Sequence, residues 1–389
     1  MKLDPARQDW MLDGKTLRIL EALPEARFVG GAVRNALLGL AISDIDLATP
    51  LLPDKVAERL KAVHINVVPT GIEHGTVTAV VNGKPFEVTT LRRDVETDGR
   101  RAVVAFTSDW KEDSERRDFT MNALYANAKG EIFDYHNGVA DLEAGRVRFV
   151  GDARTRIRED YLRILRLFRF HAWYGKGAVD AGALAAATEL KSGLAQLSGE
   201  RVQKEVLRLL EAPDPVPVLA VMAESKILAE IFPETRGFAV LENLIAHGVT
   251  DPVLRLAALL PRGNSFQVAA RLKLSNAHMA KLENVLNAEP LPVEANVARR
   301  ILYRIGPAAF ADRVQFAQAE DGTDRDALLD LTVPPRFPLT GRDAMDCGLQ
   351  QGPMLGRILA DIERNWIESD FAEDRKKLLA RLKKAAQAQ

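Results

Sequence analysis

Gly30-Gly31, followed by a helical stretch and then Ser43-Asp44-Ile45-Asp46, is the sharpest chemical constellation in this 389-residue sequence. Glycine lets a backbone come close to a ligand. A helix N-terminus then offers unpaired N–H groups to an anion such as a triphosphate. If Ile45 lies in a strand, Asp44 and Asp46 point to one face. Two carboxylates so placed suit Mg²⁺, a hard ion that takes oxygen ligands and accompanies phosphates. Alone, the glycines read as a turn and the aspartates as strand-end residues. The whole run, GG-x-VR-x₂-LLG-x₄-D-x-D, favours the phosphate reading. GxGxxG is absent, which disfavours a Rossmann dinucleotide site. Glu87, in PFEVTT, lies on a predicted strand and is either a third carboxylate beside the pair or a residue facing water.

Arg116-Arg117-Asp118-Phe119-Thr120-Met121-Asn122-Ala123 is a second island. Guanidiniums beside an aspartate and an asparagine supply donors for phosphate and acceptors for ribose hydroxyls. The third island is Glu159-Asp160-Tyr161-Leu162-Arg163. On a helix, Asp160 and Arg163 share a face and offer one acceptor with several donors. That pair fits the Watson–Crick edges of cytosine and adenine and leaves buried groups unpaired against uracil or guanine. The plainer alternative is an i,i+4 ion pair between Glu159 and Arg163. Around it, residues 146–169 carry Arg146, Arg148, Arg154, Arg156, Arg158, Arg163, Arg166 and Arg169 against three acids. Such a run neutralises nucleotide or RNA phosphates, or forms a solvated helix face. Arg201 and Glu205 read as a helix-positioning pair.

These residues need a scaffold, and the chain divides into unlike parts. Through residue 145, short β-branched runs alternate with helices, with hairpin turns at Asn82-Gly83 and Lys129-Gly130, giving an α/β head around a small mixed or antiparallel sheet. Arg92 to Glu115 is long and charged, carries Asp98-Gly99, and is the best candidate for a mobile loop. Beyond Gly151 helical spacing dominates. Proline-rich breaks at APDPVPV and TVPPRFPLTGRD set boundaries near 215 and 332. The expected parts are a head (1–145), a helical neck (146–215), a body (216–331) and a tail (332–389). In the tail, LTGRD and GLQQGPMLGR place glycines beside helix starts that either grip RNA phosphates or pack as ordinary helix–turn–helix.

Composition adds limits. With 53 Lys plus Arg against 54 Asp plus Glu, the formal charge is −1, which excludes a histone-like polybasic protein but not local basic surfaces. Cys347 is the single cysteine, so an internal disulfide and a CxxC zinc site are excluded, and a cytoplasmic setting fits. The start has no signal-peptide core, and no run of ~18 apolar residues offers a membrane span. Nothing points to a protein partner.

GGAVRNALLGLAISDIDLAT resembles the signature of class II tRNA nucleotidyltransferases (CCA-adding enzymes) and bacterial poly(A) polymerases, within the polymerase-β-like nucleotidyltransferases. The resemblance continues in order through IEHGTVTAV, FEVTTLRRD, ERRDFTMNAL, REDYLRILRLFRF, ERVQKEVLRLL and PLTGRDAMDCGLQQGPMLGRIL. It implies an α+β fold: a polymerase-β-like head with a small mixed sheet, then an all-α neck, body and tail. It implies template-independent addition of C, C and A to tRNA from CTP and ATP. Two Mg²⁺ ions would sit on Asp44 and Asp46. Gly30, Gly31, Arg34, Arg117, Asp118, Asn122 and Arg166 would meet ribose and triphosphate, and Asp160 and Arg163 would read the base. The Arg92–Glu115 loop would reshape the pocket between C and A addition. Poly(A) addition, or a CC-only or A-only enzyme, is the alternative. A chain of pI ≈ 6.6 ending soon after RKKLLARLKK lacks the long basic extension of the poly(A) enzymes. The family usually has Asp where this chain has Asn35, which puts a salt bridge from Arg34 to that position in doubt.

Overall fold

In a computed structural model of the chain, the described residues are 2–387 apart from 69–70, 73–74 and 99–100, with backbone alone at 94–98 and 101–104. Glu73 and His74 of the IEHGTVTAV stretch therefore lie outside the described residues, as does Gly99. Two compact units result, Met1–Pro233 and Glu234–Gln389.

The strands of the first unit are β1 (Arg27–Val29), β2 (Asp46–Thr49), β3 (Asn66–Val68), β4 (Thr76–Val81), β5 (Lys84–Thr90), β6 (Arg92–Asp98), β7 (Arg101–Phe106), β8 (Leu124–Ala126) and β9 (Ile132–Asp134). Seven of them form one sheet in the order β3-β4-β5-β2-β1-β8-β9. β2 and β5 pair in parallel, with Asp46 opposite Glu87, and the other neighbours are antiparallel, so the sheet is mixed. Asn82 and Gly83 both take positive φ between β4 and β5, the geometry of a tight hairpin turn. Alternation along β4 and β5 buries Val77, Ala79, Val81, Phe86 and Val88 under the sheet and leaves Glu87 exposed.

Where a loop was expected from Arg92 to Glu115, β6 and β7 form a separate two-stranded hairpin, and Trp110–Glu115 is a helix capped by Asp109. β-Branched residues in RAVVAF supply the second strand, a signal hidden by the surrounding charge.

After Asp134 the unit is helical. The Ala153–Glu159 helix is capped by Asp152. The Leu162–Tyr174 helix buries Ile164, Leu165, Leu167 and Phe168, while Phe170 meets Phe119 of the head edge to face, with ring centroids 5.2 Å apart. The Gly199–Leu210 helix lies beside it. Contacts from Asp160 to Arg201, Arg166 and Arg169 to Glu205, and Trp173 to Arg208 advance in step, so the two helices run parallel.

The second unit is helical among its described residues. One core gathers Leu291, Ala298, Leu302, Phe310 and Val314, and a C-terminal one gathers Ile358, Ile362, Trp366, Leu378 and Leu382. Thr340 and Asp343 close a capping box at the start of the Gly341–Asp346 helix, occupying N–H groups that the glycine-flanked reading had offered to phosphate. Among the described residues, no helix is long and apolar enough to cross a membrane.

Candidate active site

β1 ends at Val29, and the chain turns through Gly30 (φ 66°, ψ −120°) into the Gly31–Leu38 helix. That backbone conformation is reserved for glycine. It aims the helix N-terminus into a cavity of about 790 Å³ whose lining includes Gly30, Gly31, Arg34, Asp44, Asp46, Arg117, Asp118, Asn122 and Arg166. Nine residues singled out by type and spacing thus converge on one space.

Asp46 opens β2, and Ile45, buried just before it, keeps Asp44 and Asp46 outward together. Burial raises the Asp46 carboxyl to about 6, and Glu87 and Asp44 add to the rise. Negative charge at this spot is undercompensated, which is the electrostatic demand of a cation site. Glu87 is a charged neighbour in register with Asp46. Among the described residues, no group of three His, Cys, Asp or Glu side chains is placed to hold a metal.

The second island forms a bonded network. Asp118 accepts from Arg166 Nε at 2.9 Å and from Asn122 Nδ2 at 3.1 Å. Burial opposes ionisation, but Arg166 and these bonds outweigh it and hold the carboxyl well below the usual range. Asn122 Oδ1 in turn accepts from Arg34 Nη1 at 2.6 Å. Arg34 is buried, and desolvation lowers its pKa. Its remaining donors reach Asn35 Oδ1 at 3.1 and 2.9 Å and the Tyr174 hydroxyl at 2.8 Å. Asn35 therefore meets Arg34 with a neutral acceptor, while its Nδ2 donates to the Ala41 carbonyl at 3.0 Å. An aspartate there would set a carboxylate against that carbonyl.

Asp160 and Arg163 do not share a helix face. The helix before them ends at Glu159, and Asp160 takes extended angles (φ −158°, ψ 106°). Its Oδ1 accepts the Leu162 N–H at 3.1 Å, and its Oδ2 accepts Arg201 Nη2 at 2.6 Å. An aspartate two residues before a helical run is itself an N-terminal signal, and that signal breaks the expected continuous helix. Arg163 bonds to Glu159 and to the Arg156 carbonyl at 2.6 Å, the plainer i,i+4 pairing. Neither side chain belongs to the cavity lining. Arg201 and Glu205 likewise pair with other residues: Arg201 with Asp160, and Glu205 with Arg169 at 3.1 Å.

Sequence reasoning missed Phe170, Trp173 and Tyr174, which line the cavity from the same helix as Arg166 and Arg169. Their spacing at i, i+3, i+4, i+7 and i+8 was the available signal. It also missed Asp113, which bonds Arg117 Nη2 at 3.0 Å.

A family described as the Poly A polymerase head domain matches residues 26–148, and one described as the probable RNA and SrmB-binding site of polymerase A matches 178–238. The mitochondrial CCA tRNA nucleotidyltransferase 1 of Mus musculus is 34% identical over 92% of this chain and 87% of its own length. The CCA-adding enzyme of Levilactobacillus brevis is 31% identical over 98% of this chain and 99% of its own. The crystal structure of the Bacillus stearothermophilus CCA-adding enzyme in complex with CTP superimposes with a TM-score of 0.76 at 26% identity, covering 96% of this chain and 97% of that one.

Proposed function

Because the chain belongs to the CCA-adding tRNA nucleotidyltransferase family, we propose that the family's reaction runs in this cavity, lined by residues of both head and neck, and that the residues lining it carry the chemical step. The protein adds C, C and A to the 3′ end of tRNA from CTP and ATP and releases pyrophosphate. One observation carries the site assignment: the Gly30 turn, the Asp44–Asp46 pair and the Arg117–Asp118–Asn122–Arg166 network face a single cavity.

The N–H groups at Gly31 and the Arg117 guanidinium are suited to the triphosphate. Asp118 and Asn122, held by Arg166 and Arg34, present oxygens and an amide of fixed orientation to the ribose. Asp44 and Asp46 would hold magnesium, and the raised Asp46 carboxyl supports that fit. When bound, the metal supplies charge neutralisation at the triphosphate and acidifies the 3′-hydroxyl. That oxygen bonds to the α-phosphorus as the bond to the β-phosphate oxygen breaks. Asp160 and Arg163 read the base once Arg163 exchanges Glu159 for the nucleotide, and Arg201 keeps Asp160 oriented.

The head is assigned to residues 1–145, the base-reading neck to 146–215, the body to 216–331, and the tail, with its basic last helix, to 332–389 as a tRNA-binding segment. The β6–β7 hairpin takes the role of reshaping the pocket between C and A addition. A reducing cytoplasm suits the single, half-buried Cys347.

The test supplies tRNA ending at its discriminator base with CTP and ATP, separately and together, with and without Mg²⁺. Full CCA products are expected when both nucleotides and the metal are present. Long A tails from ATP alone would overturn the reading. Asp44→Asn or Asp46→Asn is expected to cut turnover by about a hundredfold or more, with tRNA binding retained.

A further inference from the structure

Asp113 is fully buried, and both its oxygens are saturated. Oδ1 accepts from Arg116 Nε at 2.9 Å, Arg116 Nη2 at 2.7 Å and the Arg92 backbone N–H at 3.2 Å. Oδ2 accepts from Arg117 Nη2 at 3.0 Å and from the Tyr125 hydroxyl at 2.7 Å. Tyr125 closes the ring by accepting Arg117 Nε at 3.1 Å. One whole edge of the Arg117 guanidinium, Nε and Nη2, is thereby locked.

The other terminal nitrogen, Nη1, bonds to no described residue and lies 3.8 Å from where a side-chain carbon on Gly30 would stand. The positive charge also reaches Asp46, whose carboxyl it pulls down against the rise caused by burial. A guanidinium fixed along one edge can present the opposite nitrogen in one direction only, and here that direction is the phosphate turn. The same carboxylate holds the first residue of β6 through the Arg92 N–H, while Arg116 Nε donates to the Arg92 carbonyl at 3.1 Å. The root of the β6–β7 hairpin and the cavity arginine thus share one anchor.

We propose that Asp113 is a positioning residue of the nucleotide site, aiming Arg117 Nη1 at the Gly30 turn and tying that arginine to the root of the β6–β7 hairpin. This rests on the reading of Arg117 as a triphosphate contact. Asp113 touches no substrate and acts through Arg117.

Steady-state kinetics of the full-length protein separates the possibilities. Asp113→Asn is expected to raise KM for CTP and ATP by about tenfold or more, to weaken inhibition by pyrophosphate in parallel, and to leave KM for tRNA within about twofold. Tyr125→Phe, which removes one donor to Asp113 and the acceptor of Arg117 Nε, is expected to raise nucleotide KM about threefold, and it covers the case in which Asp113→Asn folds poorly. In an Arg117→Gln background, Asp113→Asn should add less than about twofold, because both changes remove the same aimed nitrogen. If Arg117→Gln raises nucleotide KM but Asp113→Asn and Tyr125→Phe only lower the melting temperature, the positioning role is overturned. If Arg117→Gln itself leaves nucleotide KM and pyrophosphate inhibition unchanged, the triphosphate reading of Arg117 fails instead.

Discussion

Burial alone would push the Asp113 carboxyl up, yet Arg117, Arg116 and the Tyr125 hydroxyl outweigh it and hold it down at about 2. An ordinary aspartate in an unfolded chain titrates near ~3.9. The folded carboxyl is therefore the depressed one. Its contribution is fully present above the unfolded value and disappears as pH falls through the folded one. The difference corresponds to about 2–3 kcal/mol. Urea midpoints measured from pH 5 down to about 2.5 should fall steeply in the wild type and more shallowly in Asp113→Asn, and equal slopes would contradict the assignment. Asp113 was not legible in the sequence, whereas Gly30, Asp44 and Asp46 were. The latter lie within one short run whose spacing already implies a shared face. Asp113 gains its meaning from Tyr125 and Arg92, which the fold delivers from other elements. Tyr174 is a stronger instance, since it meets Arg34 across 140 residues of chain.

Elements are held at distances that leave no room for an added carbon in some places and ample room in others. A Cβ on Gly138, at the start of the Gly138–Glu143 helix, would stand 2.1 Å from the Thr120 carbonyl oxygen and 2.7 Å from its carbon. Backbone cannot swing aside as a flexible side chain does. Thr120 leads directly into Asn122, and Gly138→Ala is expected to cost about 1–3 kcal/mol and to loosen nucleotide binding with it. Gly356, inside the Pro353–Glu368 helix, has nothing within 4 Å of the same position. Gly356→Ala should add about 0.5–1 kcal/mol of stability without touching activity. Thermal melts of the two variants should move in opposite directions. Element type was legible wherever periodicity was long, as in the Leu162–Tyr174 helix. It was obscured at Asp160, where a capping residue sits inside an otherwise helical pattern. It was obscured again at β6–β7, where charge hid a hairpin.

At the scale of the whole molecule, a formal charge of −1 averages a head whose cavity is edged with carboxylates and a segment, 146–169, with eight arginines against three acids. The helical character of the second unit was legible, but the two compact units break near residue 233, where local composition gives no cue as strong as the prolines near 215. The sheet order β3-β4-β5-β2-β1-β8-β9 also carries a history. β3, β4 and β5 follow one another along the chain and pair as neighbours. The Asp46–Glu87 register spans an intervening meander, and Phe28 finds Ala126 nearly a hundred residues away. Distant pairings pay their loop-closure entropy before any contact rewards them. Pulsed hydrogen exchange during refolding should therefore protect β4 and β5 amides before those joining β1 to β8. A growing chain that has reached β5 already displays Gly30, Asp44, Asp46 and Glu87, and still lacks Arg117 and Asn122. Synthesis thus delivers Asp44, Asp46 and Glu87 before Arg117, the cation whose charge reaches Asp46.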